Sequence, residues 1–304
     1  MQLFVELKLD STVDPFLDPD DPLQPKVGDF RFERDTSESY KIRGQLASYA
    51  AALTGCQFRV HLFSVLICGE YARFIRWDRS GAIVTRRFDY SKQPHVLADF
   101  FWRYSHLNDR QRGYDSSVLP ASPAEMQKLG GIKQRLQGTN PDHRAFYKVM
   151  VSDRKNEKQE TAFIISYPPI YTARSPFGRA TRPMLAFDLE ANRLVFLKDY
   201  WRADADGMEK EGDIYTTLDE HRVPNIAPFG TGNDVRDHKT LTNTLIGEKW
   251  ACWTQKMVCL KQYRMTLNVV GRHLTAFNSS WEFVNAIADG MEGKTSYGDS
   301  CTCD

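Results

Sequence analysis

Leu194-Val195-Phe196-Leu197-Lys198 is an apolar run that ends on a cation, and the stretch Met208 to Leu218, which follows it, carries Glu211. So short a run of aliphatic and aromatic residues predicts a strand. Ile214 and Leu218 stand three and seven residues beyond Glu211, the spacing of one helix face. An ammonium from a strand that meets a carboxylate from the next helix is held in one position by it. Glu211 is the favoured partner of Lys198 and Glu209 the reserve. Read without that partner role, the pair is a surface salt bridge contributing under about 1 kcal/mol.

The surroundings supply a sheet for this strand. Phe163 to Tyr167, Pro183 to Asp188 and Leu194 to Lys198 predict strands, the last two joined by the turn Glu190-Ala191-Asn192-Arg193. Before them, Arg174-Ser175-Pro176-Phe177-Gly178-Arg179-Ala180-Thr181 holds Gly178, where the missing Cβ would let backbone approach a phosphate closely. Thr240 to Ile246, Cys252 to Leu260 and Tyr263 to Val270 predict further strands, and Trp281 to Met291 a last helix. Arg154 to Lys158 reads as a solvated charge run.

The front of the chain has its own pattern. Leu3, Val5, Leu7 and Leu9 alternate with Phe4, Glu6, Lys8 and Asp10, so the first strand is expected to bury Val5 and Leu7 and to show Glu6 and Lys8 together on the other face. Asp14 to Lys26, rich in aspartate and proline, predicts a surface loop. Ile42, Leu46, Tyr49, Ala50 and Leu53 mark a helix from Tyr40 to Leu53. Strands are expected at Arg59 to Cys68, Tyr71 to Trp77 and Ala82 to Phe88, and a helix at His95 to Ser105. Asn108 to Ser117 predicts a loop. Residues 121 to 145 hold a short helix, and Gly138-Thr139-Asn140-Pro141 is the expected boundary between units.

Composition narrows the classes of function. Forty basic and thirty-nine acidic residues leave +1, so no global field recruits nucleic acid or an anionic membrane. The run Leu62 to Cys68 is too short to span a bilayer, and the first residues lack a secretory pattern. The expectation is a soluble intracellular protein, cytoplasmic or nuclear. Six scattered cysteines lack metal-ligand spacing and predict free thiols. Trp102, Arg103, Tyr104, His106, Arg110 and Arg112 interleave rings and cations as single-stranded nucleic-acid sites do, but read better as a helix end with snorkelling arginines. His61 reads as a satisfied, partly buried histidine.

Glu6 and Lys8 on one strand face, with Gln45 and Tyr49 four apart on the next helix, form a second constellation. A carboxylate that holds a divalent ion and an ammonium that orients water suit phosphodiester cleavage. Glu-x-Lys followed by Gln-x-x-x-Tyr resembles the PD-(D/E)XK nucleases over roughly residues 3 to 90. The family's metal-binding aspartate from the preceding strand has no counterpart in Met1 to Val5. The readings left open are a solvated edge-strand pair, a decayed site kept as scaffold and a working nuclease, with Glu6 as the candidate metal ligand.

Val5-Glu6-Leu7-Lys8, Arg43-Gly44-Gln45-Leu46-Ala47-Ser48-Tyr49-Ala50, Ala72 to Ala82 (ARFIRWDRSGA), Phe196-Leu197-Lys198-Asp199 and Val269-Val270-Gly271-Arg272-His273-Leu274 with Phe277 together resemble the fungal-type protein kinase family, as far as about Asp289. The resemblance implies an α+β chain: a PD-(D/E)XK-like mixed sheet at residues 1–120, a connector at 121–160, an antiparallel kinase N-lobe with its C-helix at 161–277, and an incomplete C-lobe start and tail at 278–304. It implies ATP with Mg²⁺ as cofactor, bound by Lys198, Glu211 and Gly178, and phosphoryl transfer to hydroxyls of a protein substrate.

Three departures qualify this. Ala180 stands where the family carries a second glycine, with Pro183 close behind; Phe196 stands where most kinases keep alanine; and neither His-Arg-Asp nor Asp-Phe-Gly occurs in the 304 residues. The tail from Gly293 is expected to be helix-poor. With the base and the metal-holding aspartate missing, no residue is assigned a catalytic role. The expectation is a truncated pseudokinase that binds nucleotide weakly or not at all, or serves as a binding module for a partner protein.

Overall fold

The computed structural model describes residues 2–20, 31–137, 145–167, 175–248, 250–251 and 257–301, with backbone alone at 167 and 294–301. The first elements are β1 (Phe4–Lys8), α1 (Ser37–Cys56), β2 (His61–Cys68), β3 (Tyr71–Asp78), β4 (Gly81–Val84), β5 (Phe88–Asp89) and α2 (Pro94–His106). Then come β6 (Val118–Pro120), α3 (Pro123–Lys128), α4 (Ile132–Gln137), β7 (Ala145–Ser152), β8 (Glu160–Tyr167), β9 (Arg182–Asp188) and β10 (Arg193–Ala203). The chain continues through α5 (Glu211–Glu220), β11 (Phe229–Lys239), β12 (Leu260–Leu267) and α6 (Ser280–Cys301). Among the described residues these make an α+β chain with two sheets.

The first sheet runs β1-β2-β3-β4, with β5 also on β3. β1 lies parallel to β2, with α1 as the crossover, and the rest is antiparallel. The Thr36 side chain caps α1 by accepting from Ser39 N. Ile42, Leu46 and Ala50 then bury one helix face on Leu62, Leu66, Ile75 and Trp77. The expected orientation of β1 is reversed: Phe4 is in this core, whereas Val5 and Leu7 are exposed. One ring, set edge-on to Tyr49 at 5.7 Å, outweighs two aliphatic side chains and turns Glu6 and Lys8 toward α1.

The stretch after β1 is not a surface loop where it is described. Asp14, Phe16, Leu17 and Asp18 are buried, because Arg73 from β3 holds both carboxylates, with Nε on Asp14 Oδ2 and Nη1 on Asp18 Oδ1 at 2.8 Å each. Burial pushes that guanidinium down, and the two aspartates more than offset it, leaving its pKa raised. The strand expected from Ala82 to Phe88 divides into β4 and β5.

The second sheet has the order β11-β12-β10-β9-β8-β7-β6 and is antiparallel throughout. Residues 121–160, expected as a connector, carry α3, α4 and β7, and β7 pairs with β8 from Ala145 to Ser152. The expected boundary at Gly138 to Pro141 lies outside the described residues. The sheet curls until β7 meets β11, where Asn233 Nδ2 donates to Asp153 O at 3.0 Å. Inside the curl sit Val149, Val151, Phe163, Ile165, Ala186, Val195 and Leu197, joined by Phe58 from the front of the chain.

Other expectations shift on contact with the fold. Thr242–Leu245 is a 3-10 turn, not a strand, while β11 occupies a stretch to which no element was assigned. Of the strand predicted at Cys252 to Leu260, residues 252–256 lie outside the described set and β12 starts only at Leu260. The tail is helical as far as Cys301, where a helix-poor segment was expected. Gly293 lets α6 sit against Pro224 O, which an added Cβ would approach to 3.0 Å. Among the described residues no helix is long and apolar enough to cross a membrane.

Candidate nucleotide site

β10 is fixed by pairing on both sides: Lys198 lies opposite Pro183 of β9 and Met265 of β12. The β9–β10 turn falls where it was expected. Asp188 Oδ1 accepts from Glu190 N and Ala191 N at 2.9 Å, and Asn192 takes φ +52°. Alternation along β10 sends Val195 and Leu197 into the curl and puts Phe196, Lys198 and Tyr200 on the outer face. There α5 covers Tyr200, Tyr263 and Met265, with Tyr215 and Phe229 completing the cluster. Tyr263 Oη accepts from Gly212 N at 3.0 Å and so fixes the start of α5.

Glu211 is the first residue of that helix, and Lys198 Nζ donates to both of its oxygens at 2.6 Å. Both side chains are about three-quarters shielded from solvent. The Lys198 ammonium also stands 4.8 Å from the Tyr200 ring centre. Burial first, and then the hydrogen bond to Glu211, hold the Tyr200 phenol well above its ordinary pKa. Its proton therefore stays on through the neutral range. Glu209, the reserve partner, is not the one Lys198 uses.

Gly178 lies in the segment leading into β9, at φ +81° with open space where a Cβ would be. Its N–H is already committed, donating to Arg79 O at 2.8 Å. The Arg79 guanidinium donates back to Pro176 O at 3.0 Å, and Trp77 stacks on Phe177. Trp201 N donates to Arg179 O at 2.8 Å, tying the same segment to β10. Ala180 holds φ +42°, the conformation a glycine would adopt freely. The preceding Arg174 lies outside the described residues.

Arg179 and Tyr200 are members of this cluster that the motif reading passed over. The Arg179 guanidinium leans on the Tyr200 ring at 5.1 Å. Period-two alternation from Lys198 is the signal that could have found Tyr200; a long cationic side chain beside Gly178 gave no comparable signal for Arg179. A cavity of about 250 Å³ is lined by Ser117, Met150, Asn233, His238 and Arg264 among others; Lys198, Glu211, Gly178 and Arg179 are not part of its lining.

In the front sheet the second constellation is also assembled. Lys8 Nζ stands 2.9 Å from both Glu6 Oε1 and Gln45 Oε1, and Gln45 Nε2 donates to Tyr49 Oη at 2.7 Å. The nearby Asp14 and Asp18 are occupied by Arg73. No group of three or more histidine, cysteine, aspartate or glutamate side chains that could hold a metal ion occurs among the described residues. Of the aromatic and basic residues in and after the last turn of α2, Tyr104 Oη donates to Gln2 O at 2.9 Å and Arg112 Nη2 to Ser105 O at 2.8 Å, while Trp102 is exposed. His61 faces Gln111 O at 3.1 Å, and burial lowers its pKa to about 4.

No curated protein and no solved structure matches this chain. A family model described as fungal protein kinase matches residues 26–299, the great majority of its length. The chain thus belongs to the fungal protein kinase family.

Proposed function

We propose that these residues form the nucleotide-gripping part of an ATP-dependent protein phosphotransferase, with the α- and β-phosphates held at Lys198. The observation that carries the reading is the lysine–glutamate clamp, 2.6 Å at both carboxylate oxygens, built from a strand and the helix after it. That is the order in which kinases build theirs. ATP would supply the transferred phosphoryl group. Lys198 fits that role, whereas the described residues offer no ligand set for Mg²⁺.

The 304 residues hold no His-Arg-Asp base and no Asp-Phe-Gly. The activity proposed for this chain alone is therefore binding without transfer, since base and metal alignment are what move the γ-phosphoryl group. Mg²⁺-ATP should raise the melting temperature of the protein, and Lys198→Met should abolish that rise. A parent protein whose melting ignores Mg²⁺-ATP removes the nucleotide reading. Label from γ-labelled ATP appearing on the parent protein and disappearing in Lys198→Met would instead show that it does transfer phosphate.

A second reading draws on the joined Glu6–Lys8–Gln45–Tyr49 chain: divalent-metal phosphodiester cleavage by the front sheet. Plasmid DNA incubated with Mg²⁺ or Mn²⁺ tests it, and DNA left intact rejects it.

A further inference from the structure

A phosphate loop of the usual kind grips its ligand with backbone N–H groups. Here two of those donors are spent within the protein: Gly178 N–H on Arg79 O at 2.8 Å, and Phe177 N–H on Ser175 Oγ at 3.1 Å. The segment is also tied at both ends, to the β3–β4 turn through Arg79 and to β10 through Trp201 N. What it can still present is a side chain. Arg179 is exposed, has no carboxylate partner among the described residues, and leans on the same Tyr200 ring as the Lys198 ammonium, at 5.1 and 4.8 Å from its centre. Glu211 is the carboxylate that acts on this ring, and Lys198, Arg179 and Glu211 together carry a net positive charge.

We propose that Arg179 is a second phosphate-binding residue, which with Lys198 forms a two-cation cradle for a polyphosphate, a guanidinium taking the place of the loop's backbone amides. The inference rests on the nucleotide reading of Lys198 and deepens it. A guanidinium offers paired donors to phosphate oxygens in a plane, which a lone ammonium cannot do. The anchored backbone of residues 176–179 places it without the entropy loss of ordering a free loop.

Titration calorimetry on the parent protein, Arg179→Ala, Arg179→Lys and Lys198→Met, with Mg²⁺-ATP, inorganic tripolyphosphate and adenosine as separate probes, tests this. Arg179→Ala should weaken both phosphate-bearing probes by roughly tenfold or more, the range for a charge-assisted hydrogen bond, leave adenosine unchanged, and be partly rescued by Arg179→Lys. Equal affinity of parent and Arg179→Ala for both probes overturns the cradle while leaving the clamp in place. A parent that binds tripolyphosphate in an Arg179-dependent way but not ATP supports the cradle and overturns the nucleotide reading. A parent that binds neither overturns both. An unchanged melting temperature for Arg179→Ala, expected of an exposed side chain, certifies that the variant is folded.

Discussion

Ala180 holds a left-handed backbone at φ +42°, a conformation that strains any residue with a Cβ by about 1 kcal/mol or more. The segment keeps the shape a second glycine would give it and stores the difference. Ala180→Gly should therefore stabilise the protein by about 1 kcal/mol in urea titration; a loss of stability would show that the strain is relieved elsewhere. His61 gives a second test. Its folded pKa of about 4 lies below the free value of 6.5, so below pH 6.5 the unfolded chain takes up the proton first. Stability should be full above pH 6.5 and fall by about 3 kcal/mol as pH drops to about 4, with the loss reduced in His61→Gln. At this scale Lys198 and Glu211 were legible because strand and helix periods fix where each side chain points. Arg179 was not, because its partner ring is joined to it only by the folded sheet.

Among the elements, the loop from Asn108 to Ser117 shows how tightly a turn can be specified. Gly113 has φ +90°, and a Cβ there would lie 2.0 Å from His61 O, while Val60 N donates to Gly113 O at 2.8 Å. Gly113→Ala combines forbidden backbone with a backbone clash. It should cost about 4 kcal/mol in denaturant titration, and an effect under about 1 kcal/mol would mean the loop can move aside. One element hidden from sequence was β11. Phe229-Gly230-Thr231-Gly232-Asn233-Asp234 lacks the apolar alternation of a strand, because its ladder to β12 is irregular between Phe229 and Gly232 and again beyond Asp234. It is held by polar contacts, with Asp234 accepting from Arg202 Nε and Nη2 at 2.7 Å each. β7 was missed for another reason. Phe146 to Val151 is apolar but for Lys148, and its place in the sheet is set by β8 on one side and the close of the curl on β11.

Across the whole molecule, the turn Asp78-Arg79-Ser80-Gly81 is the joint between the two sheets. Asp78 Oδ2 accepts from Leu241 N and Thr242 N at 2.8 and 2.9 Å, and Ser80 Oγ donates to Thr240 Oγ1 at 2.6 Å. Burial raises the Asp78 carboxyl, and those N–H donors with Arg76 more than reverse it, leaving the pKa lowered. Asp78→Ala would leave these donors buried without an acceptor, so a loss of about 3 kcal/mol is expected, with faster amide exchange at Leu241 and Thr242. Unchanged exchange there would mean the joint does not depend on Asp78. The sequence marked this turn as a family signature but could not say that its work is to join the halves, since its partners lie about 160 residues away.

That joint is reinforced from behind. Arg182, two residues past Ala180, donates to Thr54 O and Gln57 O at the end of α1, and Arg264 of β12 is buried against Asp115, which precedes β6. A gene fragment starting near codon 161 would encode a β8 without β7 and an Arg264 without Asp115. Raw sheet edges recruit other chains, so such a fragment invites precipitation instead of yielding an independent lobe. Cutting the chain there breaks the β7–β8 ladder and the Asp115–Arg264 contact together.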